Sequence, residues 1–324
     1  MTTYILRRLL QVPLLLLGII VFSFVLIHLA PGDPIVALAG EYGDEAYYEQ
    51  MRAKFGLDRP LLEQLAIYLV TLLGGDLGYS YTQGQPVLNV ILSRAPTTLL
   101  LMLSAFTLST TAGIGLGILA ARRPRTATDV SITSLALFGY ALPVFWLGQM
   151  MIFVFAVQLD WFPVQGLTSA RERYTGLRLV LDVAHHLALP AIALAVHQVA
   201  LVSRLVRAGI LEEMAQQYVL AAQAKGASEH RVLLRHALRN ALLPVVTVLG
   251  GQVGFLFAGA VLTESVFAWP GLGRLLLDAT LARDYPILMG MFILISVTVI
   301  LANLVTDLVY AFLDPRIDLG QRRS

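Results

Sequence analysis

Long apolar runs alternate with short polar segments along most of this chain. Six runs stand out, at residues 9–29, 98–119, 132–157, 187–205, 242–262 and 287–312. A bilayer core of about 30 Å takes about 20 apolar residues as a helix. Each run meets that length, so the pattern predicts an all-α membrane protein with six transmembrane helices. The first run is too long for a signal-peptide core. It is followed by Pro31-Gly32-Asp33-Pro34 rather than a small-residue cleavage site, which predicts a retained first helix. Residues 61–73 are apolar but short and include Glu63 and Gln64, which predicts an interfacial or buried helix instead of a span.

The runs divide the chain into residues 1–30, a segment 31–93, a five-helix body 94–313 and a tail 314–324. Segment 31–93 reads as a small helical insertion after the first helix. Residues 41–55 and 61–73 are its expected helices, punctuated by Gly74-Gly75-Asp76 and Gln83-Gly84-Gln85-Pro86. Small residues recur every fourth position at Ser109, Gly113, Gly117 and Ala121, and again at Gly250, Gly254 and Ala258. In lipid such stripes let helix backbones approach closely. Pro13, Pro143 and Pro190 are expected to break or kink their spans, and Pro244 and Pro286 to border theirs. Trp161, Phe162, Trp269 and Tyr285 fall at span ends, where aromatic side chains anchor at the interface. His28 is expected at the interface too.

Charge fixes the orientation. If the N-terminus is cytoplasmic, the inside segments hold 14 Lys and Arg, against five in the two shorter outside loops. By the positive-inside rule both termini are cytoplasmic, and segment 31–93 is extracytoplasmic. The composition agrees: 57% hydrophobic, 14% charged, against about 25% charged in soluble domains. A net charge of +2 gives no ground for nucleic-acid binding, and the absence of cysteine excludes disulfides and thiolate metal sites.

One inside segment is too long and too patterned for a linker. Residues 206–241 carry Lys225, Arg231, Arg235 and Arg239 beside the small residues Ala221, Ala222, Ala224, Gly226 and Ala227. Residues 211–224 favour helix. Gly226 suits a left-handed helix end, and Ser228 suits the N-cap of a second helix running to about residue 238. The expectation is helix, tight turn, helix, parallel to the membrane, before Pro244 admits the chain to the fifth span.

This segment resembles the EAA loop of ABC importer permeases, most closely the oligopeptide/dipeptide type. Leu220-Ala221-Ala222 and Gly226 occupy the Glu-Ala-Ala-x-x-x-Gly frame, with Leu220 in place of the glutamate. Other matching motifs follow in order: Tyr4 to Leu9, Pro31-Gly32-Asp33-Pro34, Phe55-Gly56-Leu57-Asp58, Gly75-Asp76-Leu77-Gly78, Trp161-Phe162-Pro163, Glu264 to Phe267, Trp269 to Arg274, Arg283-Asp284-Tyr285-Pro286 and Asp314-Pro315-Arg316. The resemblance implies a type I ABC importer permease fold. It implies a second homologous permease subunit, two ABC ATPase subunits and an extracytoplasmic substrate-binding protein as partners, in a bacterial cell membrane. Leu220, Ala221, Ala222, Lys225, Gly226 and Ala227 would then form the coupling loop docked on an ATPase.

No G-x-x-x-x-G-K-[ST] phosphate loop occurs, so ATP and Mg are expected on the partner ATPases and no cofactor on this chain. A metal site needs several convergent ligands, which His185, His186 and His197 do not supply, and they read as structural. Asn303 and Asp307 share a face of the last span and are candidate gating or pathway residues. The implied cargo is a di- or oligopeptide; the alternative is nickel, glutathione or a glycoside carried by the same permease type. An ion-coupled carrier would call for buried midplane charges or inverted repeats. The sequence supplies few of the first and none of the second.

Overall fold

The computed structural model describes residues 2–29, 35, 44–170, 172–251 and 253–313. Among these residues there are helices and no strand, apart from one isolated antiparallel bridge between Tyr79 and Pro86. In chain order the helices are α1 (Thr2–Leu29), α2 (Glu45–Phe55), α3 (Leu61–Leu73), α4 (Val87–Arg122), α5 (Ala127–Ala141) and α6 (Val144–Met151). They continue with α7 (Leu177–Met214), α8 (Gln217–Ala224), α9 (Glu229–Gly251), α10 (Val253–Val266), α11 (Leu272–Leu281) and α12 (Tyr285–Leu313).

By length and composition α1, α4, α7, α9 and α12 can cross a membrane. The run at 132–157 is present but broken. α5 and the helix Val144–Gln158 meet at 102° across Leu142 and Pro143, and together count as one more span. Proline disfavours helical geometry in the residue before it, and Leu142 is extended there at φ −77°, ψ 131°. Pro13, Pro190 and Pro244 lie inside α1, α7 and α9 without ending them. The expected end of the second helix near residue 238 is corrected accordingly. From Glu229 the chain runs as one helix to Gly251, with a π-helical stretch at Val232–Ala237. α3 forms at the expected residues, and within this chain none of them is buried.

The chain divides into two compact units. One combines Met1–Thr98 with Pro270–Leu301. Its polar centre is Asp284, which is fully buried and accepts hydrogen bonds from Ser80 Oγ at 2.6 Å, Thr82 N at 2.9 Å and Thr82 Oγ1 at 2.7 Å. These bonds clamp the turn at 79–86 to the start of α12. Asp284→Ala would strand the buried Ser80 hydroxyl at about 1–3 kcal/mol, while the exposed Thr82 hydroxyl would turn to water. The expected result is faster hydrogen exchange across residues 79–86 with α4 still protected; unchanged exchange there would contradict the clamp. Nearby, Gly290 allows α12 against α4, since a Cβ would lie 2.7 Å from Val87 Cγ1. His28 bridges α1 and α3 through Phe24 O at 2.8 Å and Gln64 Oε1 at 3.2 Å.

The other unit comprises Leu99–Trp269 and Ala302–Ile317. Its core gathers Ala121 of α4, Val202, Val206 and Ile210 of α7, and Leu233, Ala241, Val245 and Leu249 of α9. The first small-residue stripe makes the contact that its spacing predicts. A Cβ on Gly113 would lie 2.6 Å from Val202 Cβ, and one on Gly117 would lie 2.7 Å from Val206 Cβ and 2.9 Å from Ser203 O. Gly117→Leu is therefore expected to abolish the stable fold, read as loss of monodisperse protein in detergent; well-folded protein with an unchanged melting temperature would contradict this packing. Of the second stripe, the side chains at Gly254 and Ala258 lie outside the described residues. Among the aromatic residues Trp161 is 60% exposed. Trp269 is instead fully enclosed and Tyr285 buried, so these two are packing residues and the anchoring expectation for them is corrected.

Candidate functional site

Within the segment 206–241, residues 206–214 end α7, 229–241 begin α9, and 215–228 form the short helix and tight turn between them. α7 closes at Ala215 and Gln216, whose N–H groups bond Glu212 O and Glu213 O. α8 then runs eight residues and ends in a Schellman closure: Gly226 N donates to Gln223 O at 2.9 Å, and Ala227 N to Ala222 O at 3.2 Å. That geometry needs a left-handed residue at 226, and Gly226 has φ +82°. A Cβ there would meet nothing within 4 Å. Its role within the chain is thus conformational, and the space around it is open. Ser228 has the extended backbone of an N-cap and its carbonyl accepts from Val232 N, but its side chain makes no capping bond.

One side of this element is anchored. Val219 and Val232 are fully buried, with Leu233 and Ala237 beside them. The Tyr218 hydroxyl bonds Glu213 closely, and Asn240 Nδ2 donates to that same hydroxyl at 3.0 Å, tying the end of α7, α8 and α9 together. Partial burial and then the Glu213 carboxylate push the Tyr218 phenol above its ordinary value, so it remains a neutral donor. The other side is open. Leu220 is 57% exposed, Ala221, Ala224, Lys225 and Gly226 are exposed, and Ala222 and Ala227 are half-buried. Arg231, Arg235 and Arg239 are exposed as well. An apolar, small-residue surface on a rigidly held turn, with cations around it, suits a protein partner more than solvent.

Behind this surface lies a buried ion pair. Asp129, in the first turn of α5, is 3% exposed. It receives Arg207 Nε at 2.5 Å and Arg207 Nη2 at 2.7 Å, and also Arg125 N at 2.8 Å. The bidentate pair locks α5 to α7 seven residues before α7 ends. Sequence reasoning placed Arg207 among the inside cations and overlooked Asp129. The available signal was a lone carboxylate at the head of an apolar run.

Of the six residues at 220–227, Leu220, Ala221, Lys225 and Gly226 are exposed, and Ala222 and Ala227 are half-buried. Asn303 stands apart from them, exposed on α12, and the side chain of Asp307 lies outside the described residues. The histidines are engaged locally: His185 Nε2 with Trp161 O at 2.7 Å, and His186 Nδ1 with Asp182 O at 2.8 Å. His197 stacks on Tyr140 with ring centroids 4.1 Å apart.

Five long apolar helices, with a bent pair that counts as a sixth, define the class of multi-span membrane proteins. Two solved crystal forms of the MetNI methionine ABC transporter, both inward facing, share the fold at TM-scores of 0.54 and 0.56. They are 16% identical and cover 70% and 69% of this chain and 97% and 96% of theirs. The chain belongs to the family of binding-protein-dependent transport system inner membrane components. That family's profile matches residues 113–319, and the profile of its N-terminal region matches residues 1–102. Among curated relatives, the oligopeptide transport system permease protein AppB of Bacillus subtilis (strain 168) is 40% identical over 319 residues, covering 98% of this chain and all of that one. The dipeptide transport system permease protein DppB of Escherichia coli (strain K12) is 40% identical over 335 residues, covering 98% and 99%. The di/tripeptide permease DppB of Pseudomonas aeruginosa (strain UCBPP-PA14) is likewise 40% identical over 333 residues, with the same coverage. The chain is thus a multi-span membrane component of a transport system and not an enzyme.

Proposed function

We propose that this chain is one permease subunit of an ATP-driven importer of di- and oligopeptides. The observation that carries the reading is the 40% identity, end to end, with permeases named for oligopeptide, dipeptide and di/tripeptide transport. In this reading a second, homologous permease completes the pathway, and an extracytoplasmic binding protein delivers the peptide. Both termini, the tail 314–324 and the segment 206–241 are cytoplasmic, while residues 31–93 face the other side.

Two ATPase subunits bind and hydrolyse Mg·ATP, and one of them seats the surface formed by Leu220, Ala221, Ala222, Lys225, Gly226 and Ala227. Closure of the ATPase pair pushes on α8. The buried flank at Val219, Val232 and Leu233 passes the push to α7 and α9. The Asp129–Arg207 pair carries it on to α5. Asn303 and Asp307, on α12, are proposed to line or gate the pathway.

The test is uptake of labelled dipeptide into proteoliposomes holding the complete transporter, with ATP supplied on the side of segment 206–241. Uptake is expected to require the binding protein, the ATPases and hydrolysable ATP together. Peptide uptake that persists without the ATPases would overturn the reading.

A further inference from the structure

α5 and α7 run antiparallel, and three contacts fix their register. Asp129 pairs with Arg207, a Cβ on Gly139 would lie 2.8 Å from Val196 Cγ1, and Tyr140 stacks on His197 with an interplanar angle of 23°. Tyr140 is 11 residues from Asp129, which along a helix is about 16 Å at 1.5 Å per residue. The Tyr140–His197 stack therefore lies about half of a 30 Å hydrocarbon layer away from the level of the Asp129–Arg207 pair.

Arg204 is one turn from Arg207 on α7. Arginines near a span end ordinarily turn their heads to the nearer interface. Arg204 does the reverse: its guanidinium carbon lies 5.3 Å from the Tyr140 ring centroid, directed towards mid-depth. Arg204 is exposed on the chain, Tyr140 is 40% exposed, and among the described residues no carboxylate pairs with Arg204. A guanidinium at that depth facing acyl chains would cost about 2.5–3.5 kcal/mol even on the most lenient insertion scale. The ring of Tyr140 holds the cation by its π face and leaves its N–H groups available, and a guanidinium offers a carboxylate two parallel bonds.

We propose that Arg204, propped on the Tyr140–His197 stack, lines the aqueous translocation pathway and receives the carboxylate of the transported peptide. A permanent acidic partner from this chain would neutralise the cation and fill the site. An unpaired guanidinium on a fixed aromatic platform instead gives a site that a passing anion enters and leaves. The inference rests on the peptide reading above.

The chain has no cysteine, so a single introduced thiol reports on this face. Leu201 is three residues before Arg204 and four after His197, on the same helical face. In the complete transporter, Leu201→Cys with Arg204 intact is expected to react with an anionic, membrane-impermeant thiosulfonate. Saturating dipeptide, with binding protein and ATP present, is expected to slow that reaction about tenfold, the step that one lost or gained charge-assisted contact produces. In parallel, Arg204→Gln should reduce dipeptide uptake about tenfold, while Arg204→Lys, which keeps the charge but loses the paired bonds and the stacking, should recover only part of the loss. An unreactive thiol, or one that peptide does not protect, overturns the assignment, because the face then meets lipid or a partner subunit. So does undiminished uptake by Arg204→Gln. If the parent transporter takes up no peptide, the peptide reading itself fails; if the parent transports and the Arg204 variants match it, only this inference fails.

Discussion

Gly226→Trp is expected to leave this protein folded and inserted while reducing copurification of its ATPase about tenfold or more. The substitution acts in two separable ways. The first is conformational: φ +82° is left-handed, and an L residue held there costs about 1–2 kcal/mol. The Schellman bonds from Gly226 and Ala227 can fray at that cost without disturbing the buried flank at Val219 and Val232. The second is steric. A Cβ at 226 meets no atom of this chain within 4 Å, so the chain itself does not oppose a large side chain. A tryptophan brings about 150–250 Å² of surface onto the face where a partner must fit. Gly226→Ala supplies the control, with the conformational cost and almost none of the bulk, and should retain part of the association. The measurement is recovery of ATPase through a tag on this chain, with melting temperature recorded in parallel. Full recovery with Gly226→Trp would show that the turn is not at the interface.

Asp129→Ala should be among the most destabilising single substitutions in the α5–α7 pair. The Asp129 carboxylate is buried and takes bonds from Arg207, Arg125 N and, at 3.4 Å, Thr133 Oγ1. Removing one partner of a buried pair costs about 3–5 kcal/mol, because the other charge is left uncompensated. Arg207 retains 29% side-chain exposure, so water relieves part of that penalty and about 3 kcal/mol is expected. The check is a fall in melting temperature in detergent. The double exchange Asp129→Arg with Arg207→Asp should recover part of the loss. A melting temperature unchanged by Asp129→Ala would contradict the assignment of this pair as the lock between the two helices.

Spans and the turn at Gly226 were legible in the sequence for different reasons. Spans are set by length and apolarity, which need no tertiary information, and the Gly113/Gly117 stripe followed from spacing alone. The turn at Gly226 was legible because one residue type serves a left-handed helix end. What the sequence hid depends on geometry between distant residues. Asp129 and Arg207 are 78 positions apart, and Ser80 and Asp284 are 204 apart. No local pattern says which residue each carboxylate meets. Trp269 read as an interface anchor because composition gives the end of a run but not the direction in which a side chain points. Pro244 read as a boundary because a lost hydrogen bond often ends a helix, yet the helix continues from Glu229 to Gly251. Pro143, in the same kind of run, does break its span, so proline alone did not decide between the outcomes.

The central claim is that the surface around α8 and its turn seats an ATPase. A photo-crosslinking amino acid at Ala224, exposed on α8, tests it in the assembled transporter within native membranes. The expected product is a covalent adduct between this chain and the ATPase subunit, whose yield changes when a non-hydrolysable ATP analogue closes the ATPase pair. A crosslink to lipid or to the second permease alone, with no ATPase adduct in either nucleotide state, would contradict the account.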